Sequence, residues 1–410
     1  MDRFKKIGLV PKLIVAIILG ILAGSYLPVG LIRVAVTFSK IFGSFLSFII
    51  PMMILAFVTK GISDLGDGAG RLLGITVLIS YLSTLIAGSL SYVMASNIFP
   101  RFITSEQVDA IVSSNSDKLE PYFTVPLTPF FDVTGALIFA FMMGISISWL
   151  RKNKSGEVLY KAVSEFNAII TKVLQAAIIP ILPFFIFGNF AEMSYLGSVS
   201  SVLGIFWKIF ICIIILHWIY VTIMFIISGS YTGKNPFAMI KNEFKGYITA
   251  VGTQSSAATI PVNIECATNN GVSREIADFV VPLGATVHLP GSMITLTGCI
   301  FTILYMYDMP HSYQLIVSLI LTLGIAMVAA PGAPGGAVMS ALPFLPLVGI
   351  GPESAMASLL ITLYITQDSF GTAANIAGDV AIANSVDKFY NKTILGNKNW
   401  KPIPVNKNPK

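Results

Sequence analysis

Residues 364–382 read YITQDSFGTAANIAGDVAI. At 3.6 residues per turn, Asp368, Thr372, Asn375 and Asp379 stand at i, i+4, i+7 and i+11, so one stripe of a helix is polar and the rest is small or apolar. The surroundings of that helix are set by composition. Of 410 residues, 55% are hydrophobic and 11% charged, where a soluble domain carries about 25% charge, and the mean hydropathy is +0.79. Such a chain cannot coat itself for water; it reads as a multi-spanning membrane protein. An ionised carboxylate inside a bilayer is costly and persists where it meets a cation, either a bound ion or a substrate ammonium. The alternative for Asp368 and Asp379 is a buried acid kept protonated by hydrogen bonds or partnered by another helix.

Outward from this helix, apolar stretches long enough to cross about 30 Å of hydrocarbon run near 8–27, 32–59, 70–98, 130–150, 160–190, 201–229, 276–307 and 354–385. The sequence thus predicts an all-α membrane protein with eight spans, the first a retained helix rather than a cleaved signal. The net charge of +6 sits in short loops and at both termini, not in a basic stripe, so no nucleic-acid partner is expected. Arg3, Lys5, Lys6, Lys60, Arg71, Arg151, Lys152, Lys154, Lys234, Lys241, Lys245 and the lysines after Lys388 all fall on one side. By the positive-inside rule that side is the cytoplasm, the acidic segment 100–128 is outside, and both termini are cytoplasmic. Cys212, Cys266 and Cys299 are odd in number and widely spaced, and read as packing residues rather than a disulfide or metal framework.

Two apolar stretches fail as simple spans. One, about 236–271, is interrupted by TQSSAATIPVN at 253–263; the other, about 314–350, by PGAPGG at 331–336. Each leaves two half-length arms, which reads as a re-entrant helical hairpin, the first entered from the cytoplasm and the second from outside. Irregular backbone at membrane depth is tolerated only where protein buries it or a polar cavity adjoins it, and paired broken segments point to a transporter's central binding site. The other reading is a pair of long loops with poor hydropathy.

Arg274 is the single Lys or Arg between Lys245 and Lys388, so both tips and both following spans lack a cation. An acidic substrate side chain would need one, preferably arginine's bidentate fork. A substrate carboxylate can instead be held by half-helix N–H dipoles, Ser255 or Ser256 and the Asn375 amide, with Asp368 taking the ammonium. These residues describe an α-amino acid site without an anchor for a charged side chain; the serines could equally serve only the backbone of a tight tip. In the seventh span, PLGATVHLPGSMITLTG at 282–298 places Pro290 and Gly291 mid-helix. A break there frees carbonyls for a hard cation such as sodium, with Asp379 and the Asn375 carbonyl completing the set. His288 reads either as a neutral core histidine lending its carbonyl or as a proton relay.

These residues resemble the dicarboxylate/amino acid:cation symporters, the glutamate transporter homologues, over nearly the whole chain. SSAATIPVN, PLGAT and the Asp368/Asn375/Asp379 pattern carry the likeness, and QDS with the first tip look closest to the serine/threonine:sodium symporter branch. The resemblance implies a homotrimer working as an elevator. Helices 2, 4 and 5 of segment 1–230 form a scaffold, helices 3 and 6 move with a transport core at 231–385, and 386–410 is a basic cytoplasmic tail. It also implies that Ser256 and Asn375 hold the carboxylate and Asp368 the ammonium, the second hairpin acting as extracellular gate. The expected substrate contacts are Ser255, Ser256, Ser292, Ala333, Gly335, Asp368, Gly371, Thr372 and Asn375. The expected sodium contacts are Gly284, Thr286, His288, Leu289, Ala330, Asn375 and Asp379, several through carbonyls.

The chain also departs from the family. Gly371 stands where acidic amino acid carriers have an arginine on the eighth span, and Gln254 where the archaeal type has one at the first hairpin. His288, Leu289, Pro290, Gly291 and Ser292 replace an asparagine-methionine-aspartate-glycine-threonine motif whose aspartate is a cation ligand, although Tyr81 and Thr84 match part of that ion site. The expectation is therefore a sodium-driven symporter of serine, threonine or alanine in the cell membrane, with fewer coupled sodium ions than acidic carriers. A larger neutral substrate such as cystine, proton coupling, and a channel remain as other readings. No enzyme is expected: Asp368 and Asp379, eleven residues apart, stand about 16 Å apart along one helix, too far for an aspartyl dyad.

Overall fold

A computed structural model describes residues 9–65, 70–104, 106–109, 119–131, 133–327, 335–397 and 401–406. The regular structure among them is helical, without a strand. In chain order the helices are α1 (Leu9–Tyr26), α2 (Val29–Leu65), α3 (Gly70–Ile98), α4 (Val133–Lys152), α5 (Glu157–Tyr195) and α6 (Val199–Thr232). Then follow α7 (Pro236–Thr253), α8 (Ser256–Asn269), α9 (Arg274–Val287), α10 (Pro290–Met306), α11 (Tyr313–Ala326), α12 (Gly336–Ala341) and α13 (Ala355–Phe389). Five segments, Val29–Lys60, Leu72–Arg101, Glu157–Tyr195, Val199–Thr232 and Arg274–Met306, are long and apolar enough to cross a membrane. Helices occupy all eight stretches expected to span; α1, α4 and α13 are not among the five, α1 being short and α13 polar along its stripe.

The apolar residues do not all turn inward. On α3, Leu78, Leu82, Ile86, Leu90 and Val93 form an exposed stripe at helical spacing, and Trp207, Ile211, Ile215, Ile219 and Ile223 do so on α6. A helix apolar on its outer face as well as its inner one is built for lipid. Inside, small residues bring backbones together. A Cβ on Gly24 of α1 would lie 2.3 Å from Ala191 O on α5, and one on Gly20 2.7 Å from Phe187 O, the close approach that paired glycines four apart allow between membrane helices. The helices fall into two packing groups: α1, α2, α4 and α5 pack on one another, while α10 and α13 sit among α3, α6, α7, α8 and α9. The most apolar 18 residues of the span Arg274–Met306 are wholly buried by their neighbours, and α13 is buried over most of its length.

Each interruption has a local cause. α9 ends at His288 and Leu289, whose backbones leave the helical region, and α10 restarts with Pro290 at its first position, where a missing N–H costs nothing. The expected break in the seventh span is therefore present. In the first hairpin region the interruption is shorter than the expected 253–263. Only Gln254, left-handed at φ 53°, and Ser255 separate α7 from α8. Pro261 sits inside α8, because a proline one and a half turns from a helix start displaces few intrahelical bonds. In the second, Ala330, Ala333 and most of PGAPGG lie outside the described residues; beyond them α12 gives way to a 3-10 helix, Leu342–Val348, under Pro343 and Pro346. In α5 a π turn at Leu174–Ile178 precedes Pro180 and Pro183, which remove donors from the next turns.

The far ends of α6, α7, α8 and α13 are tied together. Lys234, between α6 and α7, donates to Asn270 O at 2.9 Å, Gly271 O at 2.8 Å and Asn384 Oδ1 at 2.6 Å. Burial pulls its ammonium down to about 8, an effect the charge of Asp387 opposes. The tail does not hang free: Asn406 N–H donates to Asn269 O at 2.8 Å, and Asn242 Nδ2 bridges Asn269 O and Asn406 O.

Candidate substrate and cation site

Three broken elements meet on α13. Asp368 is buried, and its Oδ2 accepts the Gly335 N–H at 2.7 Å. Gly335, left-handed at φ 74°, precedes α12, so the second interruption aims a backbone donor at the carboxylate expected to take an ammonium. One residue on, Ser369 Oγ accepts from Gln254 Nε2 at 2.8 Å, which brings the tip between α7 and α8 to the same level. Ser255 caps α8, its Oγ accepting Ala258 N–H at 3.2 Å; that hydroxyl serves the tip's backbone, as one of its two readings held. Ser256, in the first turn, is buried. Thr372 is buried one turn beyond Asp368.

Asn375 braces the seventh-span break. Its Oδ1 accepts the N–H groups of Gly291 at 2.8 Å and Ser292 at 3.2 Å, and its Nδ2 donates to Ser292 Oγ at 3.0 Å. The donors orphaned at the start of α10 are thus satisfied by a side chain far along the sequence. Here α10 and α13 nearly touch: a Cβ on Gly291 would lie 2.2 Å from Gly371 O. Gly371 is therefore an inter-helix contact as well as the position where acidic carriers have arginine. The Gly291 carbonyl, freed by the break, accepts from His217 Nε2 at 3.0 Å and from Thr295 Oγ1 at 3.1 Å.

Asp379 lies deeper along the stripe. Its Oδ1 meets His288 Nδ1 at 2.8 Å with both side chains fully buried, and His288 Nε2 meets Ser83 Oγ at 2.9 Å. Tyr220 O–H donates to Ser83 O at 2.6 Å. With Asp379 ionised, Nδ1–H is the donor and Nε2 accepts from Ser83. Asp379 Oδ2 has no partner among the described residues, and a Cβ on Gly284 would lie 2.6 Å from Oδ1. Gly284, His288 and Asp379 are thus brought together, with one buried oxygen left over of the kind a hard cation fits. Thr286 faces outward and its hydroxyl returns to Leu283 O at 2.9 Å; Leu289 is buried at the break. Tyr81 O–H donates to Leu321 O at 3.2 Å, and Thr84 to Ser80 O at 2.9 Å.

Ser83, His217, Tyr220 and Glu243 were not among the residues expected from the sequence. The one signal for the histidine was a polar residue inside an otherwise apolar helical stretch, whereas Glu243, flanked by Lys241, Asn242 and Lys245, had none. Ser83 and Tyr220 carried no signal, since hydroxyls are common in such helices.

Broken helices meeting around a buried carboxylate stripe are the arrangement by which membrane transporters build a central binding site. The chain matches the sodium:dicarboxylate symporter family over residues 9–389 and belongs to it. It is 27% identical to a serine/threonine transporter SstT of Acinetobacter baumannii over 411 residues, covering 94% of this chain and 98% of that protein. It is 26% identical to an excitatory amino acid transporter of Caenorhabditis elegans over 306 residues, 72% of this chain and 58% of that one. With the neutral amino acid transporter B(0) of Homo sapiens it shares 27% over 268 residues, 64% and 48% of the two chains. The chain thus spans about half the length of the animal relatives it matches. Family and relatives are transporters by name, and the chain is a membrane protein of that family.

Proposed function

We propose that this protein is a sodium-coupled symporter of small neutral L-amino acids such as serine, threonine and alanine, working by an elevator motion. The observation that carries the substrate class is Asp368, buried with Gly335 N–H on its Oδ2, in a chain segment where Arg274 alone interrupts the run without Lys or Arg from 246 to 387. A carboxylate so placed recognises an ammonium, and nothing nearby recognises a second negative charge. The substrate carboxylate takes the N-terminal dipole of α8 with Ser256, and the second hairpin, through Gly335 and the Ala333 region, closes over it. The name of the full-length bacterial relative, a serine/threonine transporter, agrees with this choice.

Sodium is cargo here as well as driving force. Gly284, the His288 carbonyl, Asn375 and Asp379 hold one ion, and the Leu289 carbonyl with Thr286 and carbonyls near Ala330 another. The two packing groups favour the division into scaffold helices α1, α2, α4, α5 and a moving unit of α3 and α6–α13. We place the protein in the cell membrane as a homotrimer, with eight spans, two re-entrant hairpins and both termini in the cytoplasm. The test is uptake of labelled serine into proteoliposomes under an inward sodium gradient, with a proton gradient and no gradient as controls. Sodium-dependent accumulation that unlabelled threonine blocks and aspartate does not is the expected result; no uptake under sodium, or uptake driven by protons alone, refutes it.

A further inference from the structure

Glu243 stands two turns into α7 and is 2% exposed, yet neither of its carboxylate oxygens has a hydrogen-bond partner among the described residues. A buried carboxylate without donors is costly to hold. Across from it on α8, Asn263 donates through Nδ2 to Ile376 O at 3.1 Å, which fixes the carboxamide and leaves Oδ1 fully buried and also without a partner. The two residues converge. A Cβ built on Gly246 would lie 2.6 Å from Glu243 Oε1 and 3.1 Å from Asn263 Oδ1, so both oxygens border one small cradle that exists because residue 246 has no side chain. Asp379, whose Oδ2 is likewise unpartnered, is near enough for its charge to interact with that of Glu243.

The donor arithmetic is one-sided. Both Glu243 oxygens, Asn263 Oδ1 and Asp379 Oδ2 are acceptors, and nothing among the described residues donates to them. Of the cationic side chains on and beside these elements, Lys241 is exposed on the outside of α7, and three others are committed elsewhere. Lys245 pairs with Glu265 at 2.8 Å on the exposed face, Arg274 with Asp278 at 2.8 Å, and Lys234 bonds Asn270, Gly271 and Asn384. A proton on one carboxyl would satisfy one acceptor; a cation satisfies several at once. The ligand atoms are all hard oxygens, and no group of three or more His, Cys, Asp or Glu fit for a metal occurs among the described residues. That chemistry suits an alkali ion and not a transition metal.

We propose that Glu243 and Asn263 form a sodium site over Gly246, between α7 and α8, with the Asp379 carboxylate as its neighbouring charge. Its ligands differ from those assigned above to Gly284, His288 and Asn375. An ion there staples the two arms together, so that sodium orders the element whose tip meets α13 at Ser369.

The site deepens the sodium-coupling reading and rests on it, but its test is sodium binding itself, measured without substrate. Full-length protein in nanodiscs is equilibrated with radioactive sodium near neutral pH, as wild type, Glu243→Gln and Gly246→Ala, the latter placing a methyl in the cradle. Both variants are expected to bind one sodium fewer per chain than wild type, the remaining ions keeping their affinity within about twofold. Asn263→Asp, which adds a charge, is expected to keep the wild-type count and bind sodium more tightly. Should Glu243→Gln fail to give a monodisperse particle, Gly246→Ala and Asn263→Asp carry the test. The wild-type count retained in both Glu243→Gln and Gly246→Ala overturns the site while leaving sodium coupling intact, Glu243 then holding a proton instead. A wild type that binds no sodium overturns the coupling reading and the site together.

Discussion

Asp368→Asn is isosteric and removes one charge, so its consequences divide between substrate and gate. The amide oxygen of the substituted side chain can still accept the Gly335 N–H that Asp368 Oδ2 accepts at 2.7 Å. Exchanging a charge-assisted bond for a neutral one weakens it by about 1 kcal/mol. The substrate ammonium loses far more, because it then enters a buried site without a counter-charge, and no lysine or arginine lies in the surrounding segments to have balanced the original carboxylate. Breaking a buried ion pair by removing one partner costs about 3–5 kcal/mol, which at about 1.4 kcal/mol per tenfold is a loss of about a hundredfold to a few thousandfold in affinity. The unliganded protein loses an uncompensated buried charge, so its melting temperature should hold or rise. The assay is serine binding to purified protein by calorimetry or scintillation proximity, with thermal melting in parallel. Serine affinity within tenfold of wild type would refute the assignment of Asp368 to the ammonium. A protein that melts many degrees lower would show instead that the carboxylate is a structural group.

Gly371→Arg is expected to introduce binding of aspartate or glutamate, since a Cβ there would meet Thr295 Oγ1 at 3.4 Å and Gly291 C at 3.5 Å, ordinary contact distances; aspartate failing to compete with serine in this variant counts against the argument from missing cations. Gly291→Ala should destabilise by about 3 kcal/mol or more, its Cβ falling 2.2 Å from Gly371 O, which thermal melting in detergent will detect. Lys234→Met strands three acceptors, Asn270 O, Gly271 O and Asn384 Oδ1, and should lower stability by about 2–4 kcal/mol. Lys234 also gives a pH signature. Its folded-state value near 8 lies below the ordinary lysine value, so between about 8 and 10.4 the unfolded chain binds more protons and stability rises with pH; melting temperatures across that window should climb in wild type and climb less in Lys234→Met.

The features legible in the sequence are those where a local rule acts alone. Pro290–Gly291 marked the break in the seventh span because proline cannot supply an interior donor, and α10 does begin at Pro290. The spacing of Asp368, Thr372, Asn375 and Asp379 placed them on one helix, and all four are buried there. What escaped depends on partners far apart in the chain. Asn375 was assigned to a ligand from its type alone, yet its hydrogen bonds in the structure go to Gly291 and Ser292; nothing local to residue 375 shows which donors it will meet. Glu243 stands between Lys241 and Lys245 and drew no reading of its own, whereas the helix turns it inward beside Asn263. Pro261 belongs to the stretch 253–263 expected to be interrupted, but its position near the start of α8 leaves it inside the helix. The tip of the second interruption lies outside the described residues, and its outgoing arm holds a 3-10 helix, Leu342–Val348, that contains Pro343 and Pro346 and was not expected.

The knot around Lys234 bears on mechanics. One ammonium bonds the turn between α8 and α9 and the end of α13, and the tail lies across the same turn, with Ile403 O 2.2 Å from where a Cβ on Gly271 would stand. Bending α7 and α8 away from α13 at that end would strand a buried charge and several carbonyls at once. Such a fastening has no hinge: the assembly can be carried as a block, and relative play is confined to the opposite end, where Gln254 and Ser369 share a single hydrogen bond. In the elevator motion proposed for this protein, such an assembly translates whole and flexes at the tip between α7 and α8.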